Sequence, residues 1–270
     1  MEVIFISKLN PTIYNINKVH ELINDIKEGL MNNEFSLFYQ PIINLKSKKI
    51  EGFEALIRWS NQKKGNISPE KFIPLVENEY IILDIGKFVI EQSVKDLKII
   101  KKNINQGLKM SINVSINELI NKSYSDNLIQ TLYLNNIPYN DYTIEITETS
   151  SIKDISSIFE NLYKLKKVGI NIALDDFGVG YSSLSYLKYL PISTIKIDKL
   201  FVSNLPKNLQ DKVIVSSIIE IAKSMNILVI AEGIENIEQE KVLVSVNCNF
   251  GQGYFYSAPL QLPDVLNLNF

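Results

Sequence analysis

The sequence has one cysteine and one histidine among its 270 residues, and these are the residue types that commonly hold zinc and redox centres. Cys248 alone excludes an intrachain disulfide and a cysteine zinc cluster, and His20 alone excludes a multi-histidine metal site. His20 lies in an amphipathic helical pattern with Val19, Leu22 and Ile23 and is interpreted as an ordinary helix-flank residue. Any catalysis must therefore use carboxylates, lysine, asparagine and hydroxyl groups.

Long apolar runs and a strong charge of either sign are also absent. The longest apolar stretches, such as VIFI near the start and ILVIA at 227–231, are too short for a membrane span or a signal peptide. The net charge is −2, with 28 basic and 30 acidic residues, which does not indicate a nucleic-acid partner. We therefore expect a cytoplasmic protein that binds neither DNA nor RNA and does not associate with a membrane.

Short apolar runs alternate with helical patterns, and no linker or low-complexity segment divides them. One helical pattern, at 155–169, has an apolar stripe and ends at Gly169. The strand-like runs are FSLFYQP (35–41), IEGFEALIRW (50–59), KMSINVS (109–115), YTIEIT (142–147), INIALD (170–175), TIKID (194–198), ILVIAE (227–232) and a last one near 249–256. Strands joined by helices form right-handed units with a mainly parallel sheet. About eight units in roughly 250 residues is typical of an α/β fold of the TIM-barrel type. An open doubly wound sheet is the alternative.

Polar side chains recur where these strands end. ALDDFGVGYSSLS (173–185) places Asp175 and Asp176 side by side, and two such charges repel unless they are solvated or share a cation. Carboxyl strand ends of a barrel meet at one mouth, so the acidic and amide residues at these ends should form one ring. The ring consists of Glu54, Asn113, Glu145, Asp175, Asp176 and Glu232. Each has an ordinary explanation when taken alone, such as a helix cap for Asp176. Together, oxygen ligands without histidine or cysteine favour Mg²⁺ or Mn²⁺.

Several motifs resemble the EAL domain family of cyclic di-GMP phosphodiesterases. They are YQPI (39–42), EALIRW (54–59), FIPL (72–75), SINVS around Asn113, IEITE (144–148), LDDFGVGYSSLSYL (174–187), IKID (195–198), AEGIE (231–235) and QGYFYSAPL (252–260). The resemblance covers residues 16–270 and leaves residues 1–15 as an N-terminal extension. It implies a modified TIM (β/α)8 barrel whose first strand is antiparallel to the rest.

The resemblance also implies a role for each matching residue. The metal ligands would be Glu54, Asn113, Glu145, Asp175, Asp176 and Glu232. The catalytic residues would be Glu54, Lys196, Glu232 and Gln252, with Lys196 and Gln252 near the attacking water. The substrate would be contacted by Gln40, Leu56, Arg58, Asn113, Asp198 and Gln252. Glu148 lies three residues after Glu145, so in a strand it faces the other side, and it would brace the loop at 175–181.

The expected activity is hydrolysis of cyclic di-GMP to linear pGpG by a homodimer with two Mg²⁺ or Mn²⁺ ions, and Ca²⁺ should inhibit it. One alternative is a catalytically weak EAL domain that binds cyclic di-GMP and signals through a partner protein. Another is a phosphodiesterase for a different nucleotide. Departures from the family pattern are Asn78-Glu79-Tyr80 after the FIPL motif and Asn247 where glycine is common. The sequence does not identify an activating signal or a sensory partner.

Overall fold

Short strands alternate with helices through the computed structural model, which describes residues 13–147, 155–179 and 187–268. The strands are β1 Phe35–Asn44, β2 Ile50–Asn61, β3 Gly65–Ile67, β4 Lys109–Asn113, β5 Tyr142–Thr147, β6 Asn171–Phe177, β7 Thr194–Ile197, β8 Leu228–Ala231 and β9 Phe250–Gly251. The helices are α1 Ile13–Met31, α2 Pro69–Val76, α3 Ile81–Asn103, α4 Ile116–Ile120, α5 Tyr124–Leu134, α6 Ile155–Val168, α7 Lys199–Val202, α8 Leu209–Ser224, α9 Ile237–Ser245 and α10 Leu262–Leu266. Across these described ranges, no helix is long and apolar enough to cross a membrane.

Eight strands close into a barrel, with β3 added at its edge on β2. The order β1-β9-β8-β7-β6-β5-β4-β2 is closed by pairing between β1 and β2. The strand β1 runs antiparallel to both of its neighbours, whereas the ladders from β2 through β4 to β9 are parallel. The predicted α/β fold, a modified TIM barrel with an antiparallel first strand, is therefore confirmed.

Strand register determines which side chains share the barrel interior. Glu54 pairs with Ser111 in the ladder between β2 and β4, and Asn113 pairs with Glu145 between β4 and β5. Paired positions of neighbouring strands project to the same face, and every second residue along a strand returns to it. The polar residues near the carboxyl ends of the strands consequently point into one mouth of the barrel.

The predicted helix end at Gly169 is confirmed, and the last strand is much shorter than predicted. Gly169, at φ 102°, follows the end of α6, and Asn247, at φ 59°, follows α9 in the left-handed conformation that asparagine tolerates. The last strand does not run over 249–256 but ends at Gly251. A Cβ atom at Gly253 would lie 2.1 Å from the carbonyl oxygen of Ile234, so the chain crosses Ile234 closely there instead of continuing in the sheet.

The domain boundary between residues 15 and 16 stays a prediction. Helix α1 begins at Ile13, and residues 1–12 lie outside the described ranges.

Candidate active site

A buried lysine lies at the centre of the carboxyl-end mouth of the barrel. Lys196 on β7 is 1% exposed, and its Nζ lies 2.5 Å from Glu145 Oε2 and 2.8 Å from Glu232 Oε1. Glu54 Oε2 and Asp175 Oδ2 are each 3.3 Å from the same nitrogen. Four carboxylates from four different strands or strand ends thus converge on one ammonium group.

Burial and charge act in opposite directions on this cluster. Burial alone would lower the pKa of Lys196, but the surrounding carboxylates outweigh it and raise the pKa well above its ordinary value. Burial also raises the pKa of Glu145, and Glu54 and Asp175 add to the rise. For Glu232, burial with the charges of Asp175 and Glu54 raises the pKa to about 8 despite Lys196. Lys196 is therefore positively charged here and donates hydrogen bonds to the carboxylates around it.

Glu54 is the carboxylate held most completely by hydrogen bonds. Gln252 Nε2 donates to Glu54 Oε2 at 2.7 Å, and Asn113 Nδ2 donates to Glu54 Oε1 at 2.7 Å. Burial would raise the pKa of Glu54, but Lys196 and these two amides together leave it below its ordinary value. Gln40, directly opposite Glu54 in the ladder between β1 and β2, accepts from Gln252 Nε2 at 3.0 Å. Lys196 and the amides of Gln252 and Asn113 keep Glu54 ionised, and the two amides fix its direction.

The two adjacent aspartates reach the same site because β6 is irregular at that point. Neighbouring strand residues normally face opposite sides, but the register with β7 shifts between Leu174 and Phe177 and Asp176 adopts φ 53°. Asp175, Asp176 and Glu232 each offer a carboxylate oxygen, and these oxygens lie within 4.8 Å of one another. Burial and the charges of Asp175 and Asp198 raise the pKa of Asp176.

Two of the residues predicted to contact substrate, Leu56 and Arg58, lie farther out along the same mouth than Gln40, Asn113 and Gln252. Leu56 and Arg58 follow Glu54 at every second position of β2, so they share its face. The Arg58 guanidinium lies 5.5 Å from the ring centroid of Phe38, which pairs with Leu56 across the ladder. Sequence reasoning missed Phe38. Its position two residues before Gln40 on β1 was the available signal.

Asp198 caps a helix and also lies near the site. Its side chain accepts a hydrogen bond from the Leu200 N–H at 2.8 Å and caps α7, and its charge acts on Asp176. Asp198 therefore borders the metal-ligand candidates from the carboxyl end of β7.

One candidate, Glu148, lies outside the described residues, together with Gly180 and Ser182 of the loop that it was expected to brace. Its bracing role stays a prediction.

The arrangement suits a hard cation bound by oxygen. Four carboxyl groups surround Lys196, and Asp176 adds a fifth beside Asp175, so one ammonium cannot balance all five in the ionised form. The raised pKa values of Glu145, Asp176 and Glu232 express this shortage of positive charge, which a divalent cation would supply. Glu145 Oε1 is buried and receives no hydrogen bond from the protein groups that the structure describes. Carboxylate and carbonyl oxygens without a soft donor favour Mg²⁺ and Mn²⁺.

The sequence and the structure of this chain are both similar to those of known EAL proteins. The chain is 30% identical over 246 residues to the bifunctional diguanylate cyclase/cyclic di-GMP phosphodiesterase MucR of Pseudomonas aeruginosa. The matched region covers 91% of this chain and 36% of MucR. The solved structure of the EAL enzyme Bd1971 with cAMP and cyclic di-GMP bound has a TM-score of 0.88 and 37% identity, covering 93% of this chain and 69% of that one. The PaMucR phosphodiesterase in complex with c-di-GMP has a TM-score of 0.84 and 30% identity, covering 91% and 99%.

The chain spans about a third of the length of the curated relatives it matches. The family profile described as EAL domain matches residues 23–259, which is most of the chain. This protein therefore belongs to the EAL domain family.

Proposed function

We propose that this chain is a metal-dependent phosphodiesterase that hydrolyses cyclic di-GMP to linear pGpG and so lowers the level of this second messenger in bacterial signalling. The observation that carries the proposal is the convergence of Glu54, Glu145, Asp175 and Glu232 on Lys196 at one mouth of the barrel. The solved relatives with bound cyclic di-GMP support the choice of substrate.

The residues present fit a divalent metal. Asp175, Asp176 and Glu232 already hold their oxygens within 4.8 Å of one another, and Glu145 Oε1 is free of protein donors among the described residues. We assign metal binding to Glu54, Asn113, Glu145, Asp175, Asp176 and Glu232. Mg²⁺ or Mn²⁺ would supply an acidified water and neutralise charge on the phosphate.

Asn113 can take this role while it remains hydrogen-bonded to Glu54. Its side-chain nitrogen donates to Glu54 in the structure, and only its oxygen can bind a cation. That oxygen belongs to the same amide group, so Asn113 can keep its hydrogen bond to Glu54 while the oxygen faces another partner. The amide would then link two ligands of one site.

The other side chains have separate tasks in the proposed reaction. Lys196 donates hydrogen bonds and places positive charge where the phosphate becomes more negative, which favours the transition state over the substrate. Gln252 orients Glu54 and, with Gln40, lines the inner edge of the mouth. Arg58, Leu56 and Asp198 lie farther out, where an extended substrate would cross.

The chemical step consumes one water for each phosphodiester opened. The water oxygen forms a bond to phosphorus while the bond from phosphorus to the 3′ oxygen breaks. The attacking water loses one proton when it is activated, and the departing 3′ oxygen gains one proton to become a hydroxyl group. The product is a linear dinucleotide with a 5′ phosphate, which is pGpG.

The test compares matched variants of one strand. Glu54→Gln removes one charge from the cluster, whereas Glu51→Gln makes the same change near the opposite end of β2, where Glu51 pairs with Lys109. We expect Glu51→Gln to retain turnover of cyclic di-GMP with Mg²⁺ or Mn²⁺ and Glu54→Gln to lose most of it. Both should unfold at similar temperatures. Near wild-type turnover by Glu54→Gln would contradict the metal assignment.

The same assay separates the alternatives. If the chain binds cyclic di-GMP but forms no product in the presence of either Mg²⁺ or Mn²⁺, it is a receptor that acts through a partner. Faster turnover of cAMP or cGMP than of cyclic di-GMP would indicate a different nucleotide substrate.

The homodimer implied by the family resemblance also belongs to the proposal. Sedimentation analysis of the purified chain tests it, and a single monomeric species at micromolar concentration would contradict it.

A further inference from the structure

The half of the barrel opposite the carboxylate mouth contains a cavity of about 90 Å³. Its lining includes residues that begin strands β4, β6, β7 and β8, so the cavity lies toward the amino-terminal ends of the strands. The interior of a TIM barrel is ordinarily filled by bulky branched side chains. Here Gly52, Ser111, Thr143 and Thr194 occupy inner positions and leave the space open.

Two buried polar atoms at this cavity have no partner among the described protein groups. Ser111 is 4% exposed and Glu145 is 1% exposed, and both line the cavity. Neither Ser111 Oγ nor Glu145 Oε1 takes part in a hydrogen bond within the described part of the chain. A buried polar group without a hydrogen bond destabilises the folded state by about 1–3 kcal/mol, and an ordered water molecule often supplies the missing hydrogen bond.

The positions of these residues suit a water bridge. Ser111 lies two residues before Asn113, and Asn113 pairs with Glu145, so Ser111 is one inward-facing layer below Glu145. One such layer is about 6.6 Å of backbone spacing. The two side-chain oxygens do not hydrogen-bond to each other, so water in the space that both residues line is the available link between them. The cavity volume of about 90 Å³ is well above the roughly 10–15 Å³ that a single water requires.

Polar partners and a path to solvent are both available. Thr143 and Thr194 line the same space and can add hydroxyl contacts, which meets the two to four partners that a buried water needs. The outer end is bordered by the ion pair of Lys109 with Glu51, at 2.6 Å, and by Leu228, which is 42% exposed. Water can therefore enter from the end of the barrel opposite the active-site mouth.

We propose that this cavity is a hydration site in which ordered water bridges Ser111 Oγ and Glu145 Oε1 and holds the Glu145 carboxylate from beneath. Ser111 is then a positioning residue for Glu145. The part of this inference that concerns metal affinity rests on the proposed function, whereas the hydration site itself does not.

The first experiment examines the chain without metal. A crystal structure at a resolution that shows waters should contain density within hydrogen-bond distance of Ser111 Oγ and of Glu145 Oε1. Crystals pressurised with xenon should show none in the cavity, because xenon occupies dry apolar space. Xenon in the wild-type cavity, or water that contacts neither atom, would overturn the proposal.

The second experiment uses substitutions of Ser111. Ser111→Ala removes the hydroxyl group, and Ser111→Val also fills space that a water would occupy. Ser125→Ala is the matched control, because Ser125 is fully buried on α5 and its Oγ also lacks a partner among the described residues, but it does not line the cavity. We expect both Ser111 variants to lose the bridging density and to bind Mn²⁺ severalfold more weakly by electron paramagnetic resonance.

The control should retain wild-type Mn²⁺ affinity. Ser111 variants that match Ser125→Ala in Mn²⁺ affinity and in the position of Glu145 would refute the positioning role. A wild-type chain that binds no Mn²⁺ would refute the proposed function, and the crystallographic test of the water would still decide the hydration site. Should Ser111→Val fail to fold, the wild type and Ser111→Ala decide the question.

Discussion

Glu118 should make the stability of the protein fall with rising pH. Its side chain is 5% exposed and forms a capping box with Ser115, in which the Ser115 N–H donates to Glu118 Oε2 at 2.9 Å. Burial raises the pKa of Glu118 to about 7, and the hydrogen bonds from Ser115 only partly offset this. Gly86 on α3 permits the close packing, since a Cβ atom there would lie 1.8 Å from Glu118 Oε1.

The magnitude follows from the difference between the folded and unfolded pKa values. The folded carboxyl holds its proton up to about pH 7, whereas the unfolded one releases it near 4.5, so the folded state binds more protons in between. Stability is therefore lost as pH rises from about 4.5 to about 7. At about 1.4 kcal/mol per pKa unit, a difference of about 2.5 units gives a loss of about 3.5 kcal/mol by pH 8.

Glu118→Gln isolates this term, because glutamine keeps the capping box and has no charge to bury. Urea unfolding followed by fluorescence of Trp59, the one tryptophan and 1% exposed, measures the free energy of unfolding at pH 5, 6, 7 and 8. We expect the variant to exceed the wild type by less than about 1 kcal/mol at pH 5 and by about 3.5 kcal/mol at pH 8. Glu91→Gln, an exposed change on α3, is the control and should show no such trend. A difference for Glu118→Gln that does not depend on pH would refute the reasoning.

Three further predictions concern the site. Lys196→Met should lower the free energy of unfolding in EDTA by about 3–5 kcal/mol, because it removes the cation from a buried cluster. Mn²⁺ should then raise the thermal midpoint of this variant more than that of the wild type. Equal midpoint shifts would argue against metal in the cluster. Ca²⁺ as the sole divalent ion should inhibit turnover, because it prefers longer bonds and more ligands than a two-metal site spaced about 3.5–4 Å allows; full activity would contradict this. Glu148→Ala should raise the metal concentration needed for half-maximal turnover, and an unchanged requirement and rate would eliminate its bracing role.

Much of the fold follows from local pattern. Alternating apolar runs and helical stripes determine the strands and helices, and the parallel ladders then bring the polar strand ends to one mouth. The antiparallel first strand came from family resemblance, because composition and periodicity do not give strand direction. The short β9 depends on the close crossing of Gly253 over Ile234, a tertiary contact that no local pattern contains.

The site was predictable in its residue types but not in its contacts. Lys196 was expected near the attacking water, whereas the structure shows that it pairs with four carboxylates at once. The irregularity that turns both Asp175 and Asp176 toward the mouth depends on the pairing of β6 with β7. Nothing in the sequence singles out Glu118, and only the packing of α4 on α3 shows that it is buried.

The most direct test of the central claim is chromatographic analysis of cyclic di-GMP incubated with the wild-type chain, with Mn²⁺ or Mg²⁺ and separately with EDTA. The proposed function predicts stoichiometric conversion to pGpG with metal, no conversion in EDTA, and recovery when Mn²⁺ is added back. Cyclic di-GMP that binds the chain and remains intact with both metals would contradict it.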